Sequence, residues 1–305
     1  AAEAGAYDAS LWSELRELGW PGIAIAEEHG GGGLGLVELV ILAEELGAAV
    51  AGSPFLSNAL GGLLIEHGGT DAQKARWLEG IATGEATATV ATAKGGEAEL
   101  VPDADTAAVI VLVEHGRAVL VERGDADVTP ADAIDITRRF ASVRADGGEE
   151  LGGDVAGGLD RAEATLAAEL VGVAQRAMAM SIEYAKDRKQ FNTPIGAYQA
   201  VSHTCAQMLY DTEGARSATY FAAWAADADP AQLPLGAAMA KAAAADAARA
   251  VTAAAIQVHG GIGFTWEADL HWLYKRAQVD AALLAGSRTQ RARVARLSAA
   301  ALATA

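Results

Sequence analysis

Two segments seventy residues apart hold residue types suited to gripping a phosphate-bearing ligand. The first is Asp187-Arg188-Lys189-Gln190-Phe191, and the second is Gln257-Val258-His259-Gly260-Gly261-Ile262-Gly263-Phe264. Arg188 brings a permanently charged, planar guanidinium. Gly260 and Gly261 give a bend that a ligand can approach closely, because glycine has no Cβ in the way. An arginine and a Gly-Gly turn are suitable parts for holding a pyrophosphate. Each segment also has a purely structural reading. Arg188 sits in the charged run Lys186-Asp187-Arg188-Lys189, which suits a solvated helix end, and Gly260-Gly261 suits a helix C-cap followed by a turn. His259 either stacks or hydrogen-bonds at an interface, or is simply exposed.

Both segments follow long Ala-rich stretches, so helices must position them. The periodicity predicts helices near 159–188, 198–228, 235–258, 267–282 and 287–303, after a loop marked by Gly147-Gly148, Gly152-Gly153 and Gly157-Gly158. The high Ala content gives strong helix propensity and permits close packing. An antiparallel four-helix bundle over 158–305 is the expected architecture. Residues 1–85 read as a helical unit, with helices at Asp8–Leu18, Val37–Leu46, Ser53-Pro54 to His67, and Thr70 or Asp71 to Gly84. Ile23–Ala26 reads as extended. Gly30 to Gly33 reads as a flexible turn, since a phosphate loop needs a Gly-Lys-Ser/Thr that is absent. Residues 86–150 read as a small β unit, with strands at Thr87–Thr92, Ala107–Glu114, Arg117–Glu122 and Arg138–Val143 and a turn at His115-Gly116. The fold class expected is mainly α with a small β-domain.

Composition narrows the function. The chain has 305 residues, enough for two or three structural units and a substantial core. Its formal net charge of −17 argues against a nucleic-acid partner. No run of eighteen apolar residues lacks charge, so no transmembrane helix and no membrane partner are expected. No secretory pattern opens the sequence, and the single cysteine, Cys205, fits a reducing, cytoplasmic setting. Cys205 reads as a small buried apolar residue. The six histidines are scattered, and no metal site is expected.

The pairing of the two segments resembles the C-terminal domain of the acyl-CoA dehydrogenases. The match runs from about Leu159 to Leu297, with a weaker one from about Tyr7 to Gly84. It rests on Ala168-Glu169-Leu170-Val171-Gly172-Val173-Ala174-Gln175, Arg188-Lys189-Gln190-Phe191, Pro194-Ile195-Gly196-Ala197-Tyr198-Gln199-Ala200-Val201, Ala238-Met239-Ala240-Lys241 and the Gln257–Phe264 block, in the right order. The resemblance implies FAD as cofactor and an N-terminal helical domain, a reduced middle β-domain and a C-terminal bundle. It marks Arg188, Gln190, Phe191, Gln199, Gln257, His259, Gly260 and Gly261 as contacts to FAD. In the family, the matching arginine binds the FAD pyrophosphate of a neighbouring subunit. Gln199 equally suits a helix cap or a surface position.

Departures from the family pattern carry as much information. The reaction needs a carboxylate to take the α-proton of an acyl-CoA, and one family location is a Glu before a Gly-Thr near the last helix. Here Ala285 stands there, in Leu283-Leu284-Ala285-Gly286-Ser287. A second location falls at Ala162. Glu163 and Glu169 are substitutes out of register, and both read as parts of a solvated helix face. The Glu-Pro and Ser-Asp that border the flavin ring are missing from Val90-Ala91-Thr92-Ala93-Lys94-Gly95-Gly96, and Lys275-Arg276-Ala277 replaces an Arg-Asp-Ala. The chain is thus similar to the non-catalytic partner in the heteromeric α2β2 acyl-CoA dehydrogenases of actinobacteria, which act in steroid side-chain degradation. That resemblance implies a catalytic partner subunit that supplies the base, and an electron-transfer protein as acceptor. The alternatives are a self-sufficient homo-oligomer with Glu163 or Glu169 as base, and a non-enzymatic scaffold.

Overall fold

Capping residues set helix ends from the start of the chain. The Asp8 side chain accepts from the amides of Ser10 and Leu11 and opens α1 (Ala9–Glu17), which buries Trp12 and Leu15. These positions come from a computed structural model that describes residues 8–304; the first seven residues of the expected N-terminal unit lie outside the described residues. Three helices follow: α2 (Leu36–Ala48), α3 (Phe55–Gly68) and α4 (Asp71–Thr83). A reciprocal capping box of Thr70 and Gln73 starts α4, and Gly84, at φ 68°, closes it.

Two expectations fail in this unit. Ile23–Ala26 is not extended; it forms turns between the 3₁₀ segments Trp20–Gly22 and Glu27–His29. The glycine run is held by backbone hydrogen bonds rather than left loose. Gly32 and Gly33 donate to the carbonyls of Gly22 and Ile25, both at 2.8 Å. A Cβ on Gly31 would stand 2.1 Å from the Ile25 carbonyl oxygen, so the run is glycine because backbone packs on backbone.

The β unit comprises β1 (Ala88–Thr92), β2 (Glu97–Pro102), β3 (Val109–Glu114), β4 (Arg117–Glu122), β5 (Asp127–Pro130), β6 (Phe140–Arg144) and β7 (Glu149–Glu150). One sheet has the order β1-β3-β4-β7, with β1 parallel to β3, and a second has the order β2-β6-β5. His115 and Gly116, at φ 51° and 80°, make the expected β3–β4 turn. β2 and β5 escape the sequence pattern. β2 carries two glutamates and a register shift, and β5 is a short edge strand with little burial.

The chain then runs through α5 (Val155–Asp187), α6 (Gln199–Ala228), α7 (Leu233–His259), α8 (Leu270–Asp280) and α9 (Ser287–Thr304). A small hairpin, β8 (Lys189–Gln190) and β9 (Thr193–Pro194), separates α5 from α6. One apolar core joins residues of α1, α2 and α3 to α5 through α8 and is built largely of alanine. Small side chains let helix axes approach. A Cβ on Gly172 of α5 would lie 1.9 Å from the Glu44 carbonyl of α2, and one on Gly47 of α2 would lie 2.3 Å from the Glu169 carbonyl of α5. The architecture is a helical N-terminal region, a small β region and a C-terminal helical bundle.

Candidate cofactor-contacting site

Arg188 caps α5. Its amide donates to the Tyr184 carbonyl at 2.8 Å, while its extended ψ of 125° takes the chain out of the helix. The chain turns at Phe191 and Asn192, with φ 51° and 60°, between β8 and β9. Left-handed backbone is costly for phenylalanine, and such strain persists only where the surroundings enforce it. Two bonds tie the hairpin down: Ile195 N donates to the Arg188 carbonyl at 2.8 Å, and the Tyr198 hydroxyl donates to the Gln190 carbonyl at 3.2 Å. Arg188, Lys189 and Gln190 are exposed, and Phe191 is 91% exposed at the tip. Among the described residues Arg188 has no ion-pair partner.

Gln199 is the first residue of α6 and is exposed. The N-cap is Tyr198, so Gln199 is not the cap; its Nε2 lies 3.4 Å from His203 Nε2. α7 ends at His259, and Gly260 follows at φ 62°, ψ −136°, a conformation open essentially to glycine alone. The turn Gly260–Phe264 then folds back. A Cβ on Gly260 or Gly261 would meet nothing within 4 Å, so the backbone here faces open space. Gln257 is also exposed. His259 is not simply exposed: its ring stacks on Tyr184, centroids 4.3 Å apart. The ends of α5 and α7 are therefore neighbours, and both expected segments lie at one end of the helical array. An exposed guanidinium and open glycine backbone, at the ends of neighbouring helices, are chemically suited to an anionic group.

The Val90–Gly96 segment, which lacks the Glu-Pro and Ser-Asp of the family pattern, is tied up within the chain. The amides of Gly95 and Gly96 both donate to the Glu114 carboxylate, at 2.7 and 3.4 Å. These bonds, the Gly95 one foremost, hold the Glu114 carboxyl below its usual range. An in-chain anion already occupies that small nest. At the expected place of the base, Leu284 and Ala285 have φ 57° and 117° and no carboxylate. Lys241 braces this turn from below. It is fully buried and donates to the carbonyls of Asp280 and Ala281, both at 3.2 Å, and of Ala285 at 3.4 Å. Burial lowers its ammonium to about 8. A lysine inside the Ala238–Ala245 run is the sequence signal that could have exposed this role.

Glu163 and Glu169 do not lie on a solvated face; each is 2% exposed. α5 is packed on nearly every side, so it has no solvent face along this stretch. Glu169 Oε1 accepts from Arg276 Nη1 at 2.6 Å and from Arg138. Arg276 also pairs with Asp135 at 2.6 Å, and Arg138 with Asp280 at 2.8 Å. Glu163 accepts from Gln290 at 2.6 Å and from Arg293 at 2.9 Å, and Arg293 also pairs with Asp160. Burial pushes the Glu163 carboxyl up to about 7. Both glutamates spend their lone pairs on holding helices together. Cys205 is half-buried rather than buried. No metal-binding group of side chains occurs among the described residues, and no helix there is long and apolar enough to cross a membrane.

Comparison with known proteins bears on this arrangement. The sequence signature described as "Acyl-CoA dehydrogenase, C-terminal domain" matches residues 132–298, and that of the N-terminal domain matches residues 1–85. The chain belongs to the acyl-CoA dehydrogenase family. Members of this family are FAD-binding oxidoreductases. Acyl-CoA dehydrogenase IpdE2 of Mycobacterium tuberculosis is 37% identical over 284 residues, covering 92% of this chain and 84% of the relative. The ChsE4-ChsE5 complex from Mycobacterium tuberculosis superposes with a TM-score of 0.88 at 26% identity, covering 97% of this chain and 90% of that one. A variant of the Tcur3481-Tcur3483 steroid ACAD gives 0.87 at 28% identity with the same coverage.

Proposed function

We propose that this acyl-CoA dehydrogenase chain is the non-catalytic subunit of a heteromeric, α2β2 enzyme. The observation that carries this is a division within one molecule. The groups that would reach toward a neighbour's cofactor are free: Arg188 has no ion-pair partner among the described residues, and Gly260 and Gly261 are open. The groups that would serve a cofactor of its own are lost: Ala285 has no carboxylate, and Val90 to Gly96 lacks the Glu-Pro and Ser-Asp that border the flavin ring in the family. Two solved structures of heteromeric form, ChsE4-ChsE5 and Tcur3481-Tcur3483, support the same reading.

The reaction is α,β-desaturation of an acyl-CoA, in which FAD, when bound, supplies the hydride acceptor. The partner subunit supplies the carboxylate that takes the α-proton and most of the flavin pocket. This chain's residues bind and orient. Arg188 offers its planar fork to the pyrophosphate oxygens. Gln190, Gln199, Gln257 and His259 offer hydrogen bonds, Phe191 an aromatic face, and Gly260-Gly261 backbone that can be closely approached. The substrate class is a steroid side-chain CoA thioester, supported by the steroid enzyme among the structural neighbours. An electron-transfer protein is the acceptor.

The test is FAD affinity of the co-purified complex, read by flavin fluorescence. Arg188→Ala removes charge-assisted bonds worth about 1.5–3 kcal/mol each, so FAD affinity falls roughly ten- to a hundredfold. Arg188→Lys recovers part of it, since an ammonium lacks the two-pronged fork. Unchanged affinity in Arg188→Ala would remove the main support for the reading.

A further inference from the structure

The two segments proposed to grip one cofactor sit on different helices, α5 and α7, and a grip needs their separation fixed. Tyr184 lies one helical turn before Arg188, and its carbonyl accepts the Arg188 amide at 2.8 Å. His259 is the last residue of α7 and directly precedes Gly260. The two rings stack with centroids 4.3 Å apart and planes 22° from parallel.

The imidazole is held by its own helix as well. Its Nδ1 lies 2.8 Å from the Ala255 carbonyl oxygen. A carbonyl only accepts, so Nδ1 carries the proton. Above it the turn returns so tightly that a Cβ on Gly263 would stand 3.2 Å from the His259 Cβ and 2.6 Å from the Ile256 carbonyl. A ring hydrogen-bonded to its own helix, on a Cβ that the returning turn packs against, has little freedom left. Stacking on such a ring fixes Tyr184, and with it the last turn of α5. The hairpin beyond is tied to that turn by the Ile195–Arg188 bond.

Resting on the function proposed above, we infer that Tyr184 and His259 form a positioning pair. Their stack sets the spacing between the Arg188 guanidinium and the Gly260-Gly261 backbone, so that both meet one pyrophosphate. Tyr184 itself needs no contact with the cofactor.

The experiment uses the complex with the catalytic partner and three variants: Tyr184→Phe, Tyr184→Leu and Arg188→Ala. FAD affinity is read by flavin fluorescence, and amide hydrogen exchange is followed across residues 257–264. Tyr184→Phe keeps the stacked ring and retains wild-type affinity within about twofold. Tyr184→Leu keeps a good helix former but loses the stack; FAD affinity falls about three- to tenfold and exchange in 257–264 quickens. Combined with Arg188→Ala, its effect is smaller than the product of the two single losses, because both act on the same grip. Wild-type affinity in Tyr184→Leu, beside a large loss in Arg188→Ala, overturns the positioning role and leaves the function standing. Equal losses in Tyr184→Phe and Tyr184→Leu also overturn it, since the ring would then not be what matters. Wild-type affinity in Arg188→Ala overturns the function, and this inference falls with it.

Discussion

Glu163 is a carboxyl that the fold keeps from water, and that has a measurable signature. Burial raises it to about 7, above its ordinary 4.5, so the folded chain holds this proton to higher pH than the unfolded chain does. The stabilising contribution is therefore full at pH below that ordinary value and is lost as pH rises through about 7. In Glu163→Gln this contribution to the slope disappears. Between about pH 4 and pH 8 the wild type loses on the order of 3 kcal/mol relative to the variant, checked by urea denaturation across that range. Turnover of the reconstituted complex stays within about tenfold, whereas removing a true general base costs roughly 10²- to 10⁴-fold. Glu169 behaves differently because it neutralises two buried guanidiniums, Arg138 and Arg276. Glu169→Ala leaves that positive charge without its shared partner, and the expected loss is about 3–5 kcal/mol of stability. A melting temperature equal to wild type would mean that Asp135 and Asp280 suffice to neutralise the two arginines.

At the scale of elements, the contact between α2 and α5 depends on absent side chains. Gly172 and Gly47 each lie where a Cβ would press on the other helix's backbone. Backbone cannot yield as a flexible side chain can, so Gly172→Ala forces the helices apart and costs about 1–3 kcal/mol or more. Gly214 on α6 is the internal control, since a Cβ there meets nothing within 4 Å. Gly214→Ala therefore gains helix propensity, about 0.5–1 kcal/mol. Opposite shifts in the denaturation midpoints of the two variants check the argument, and two shifts of the same sign defeat it. The Gly in Glu169-Leu170-Val171-Gly172 stood out as a motif member, yet its reason is visible only across the gap to α2.

For the whole molecule, the proposed assembly bears on the exposed apolar side chains. Tyr210 is 75% exposed, Leu209 48% and Trp224 46% along α6, while Phe264 at 80% and Trp266 at 71% project beyond α7. Contiguous exposed apolar surface marks interfaces, and the assembly proposed above would cover these residues. The chain expressed alone is expected to self-associate and to carry little FAD. Co-expressed with a catalytic subunit, it is expected to elute as one hetero-oligomer with flavin absorbance. Size-exclusion chromatography with light scattering and a visible spectrum decides it; a monodisperse monomer with stoichiometric flavin would contradict both expectations.

Sequence alone determined the long helices, because their apolar and Ala-rich periodicity runs over many turns. It also determined the β3–β4 hairpin, through His115-Gly116. Tertiary structure decided what the period could not express. Glu163 and Glu169 read as a solvated face because a glutamate's ordinary place is in water, yet the fold covers α5 on almost all sides and brings Arg138, Arg276, Gln290 and Arg293 to meet them. The edge strands β2 and β5 form because β6 offers a ladder between them, not because of their own residues. The stack of Tyr184 on His259 joins residues seventy-five positions apart, and no local pattern encodes a contact that exists only once α5 and α7 have packed.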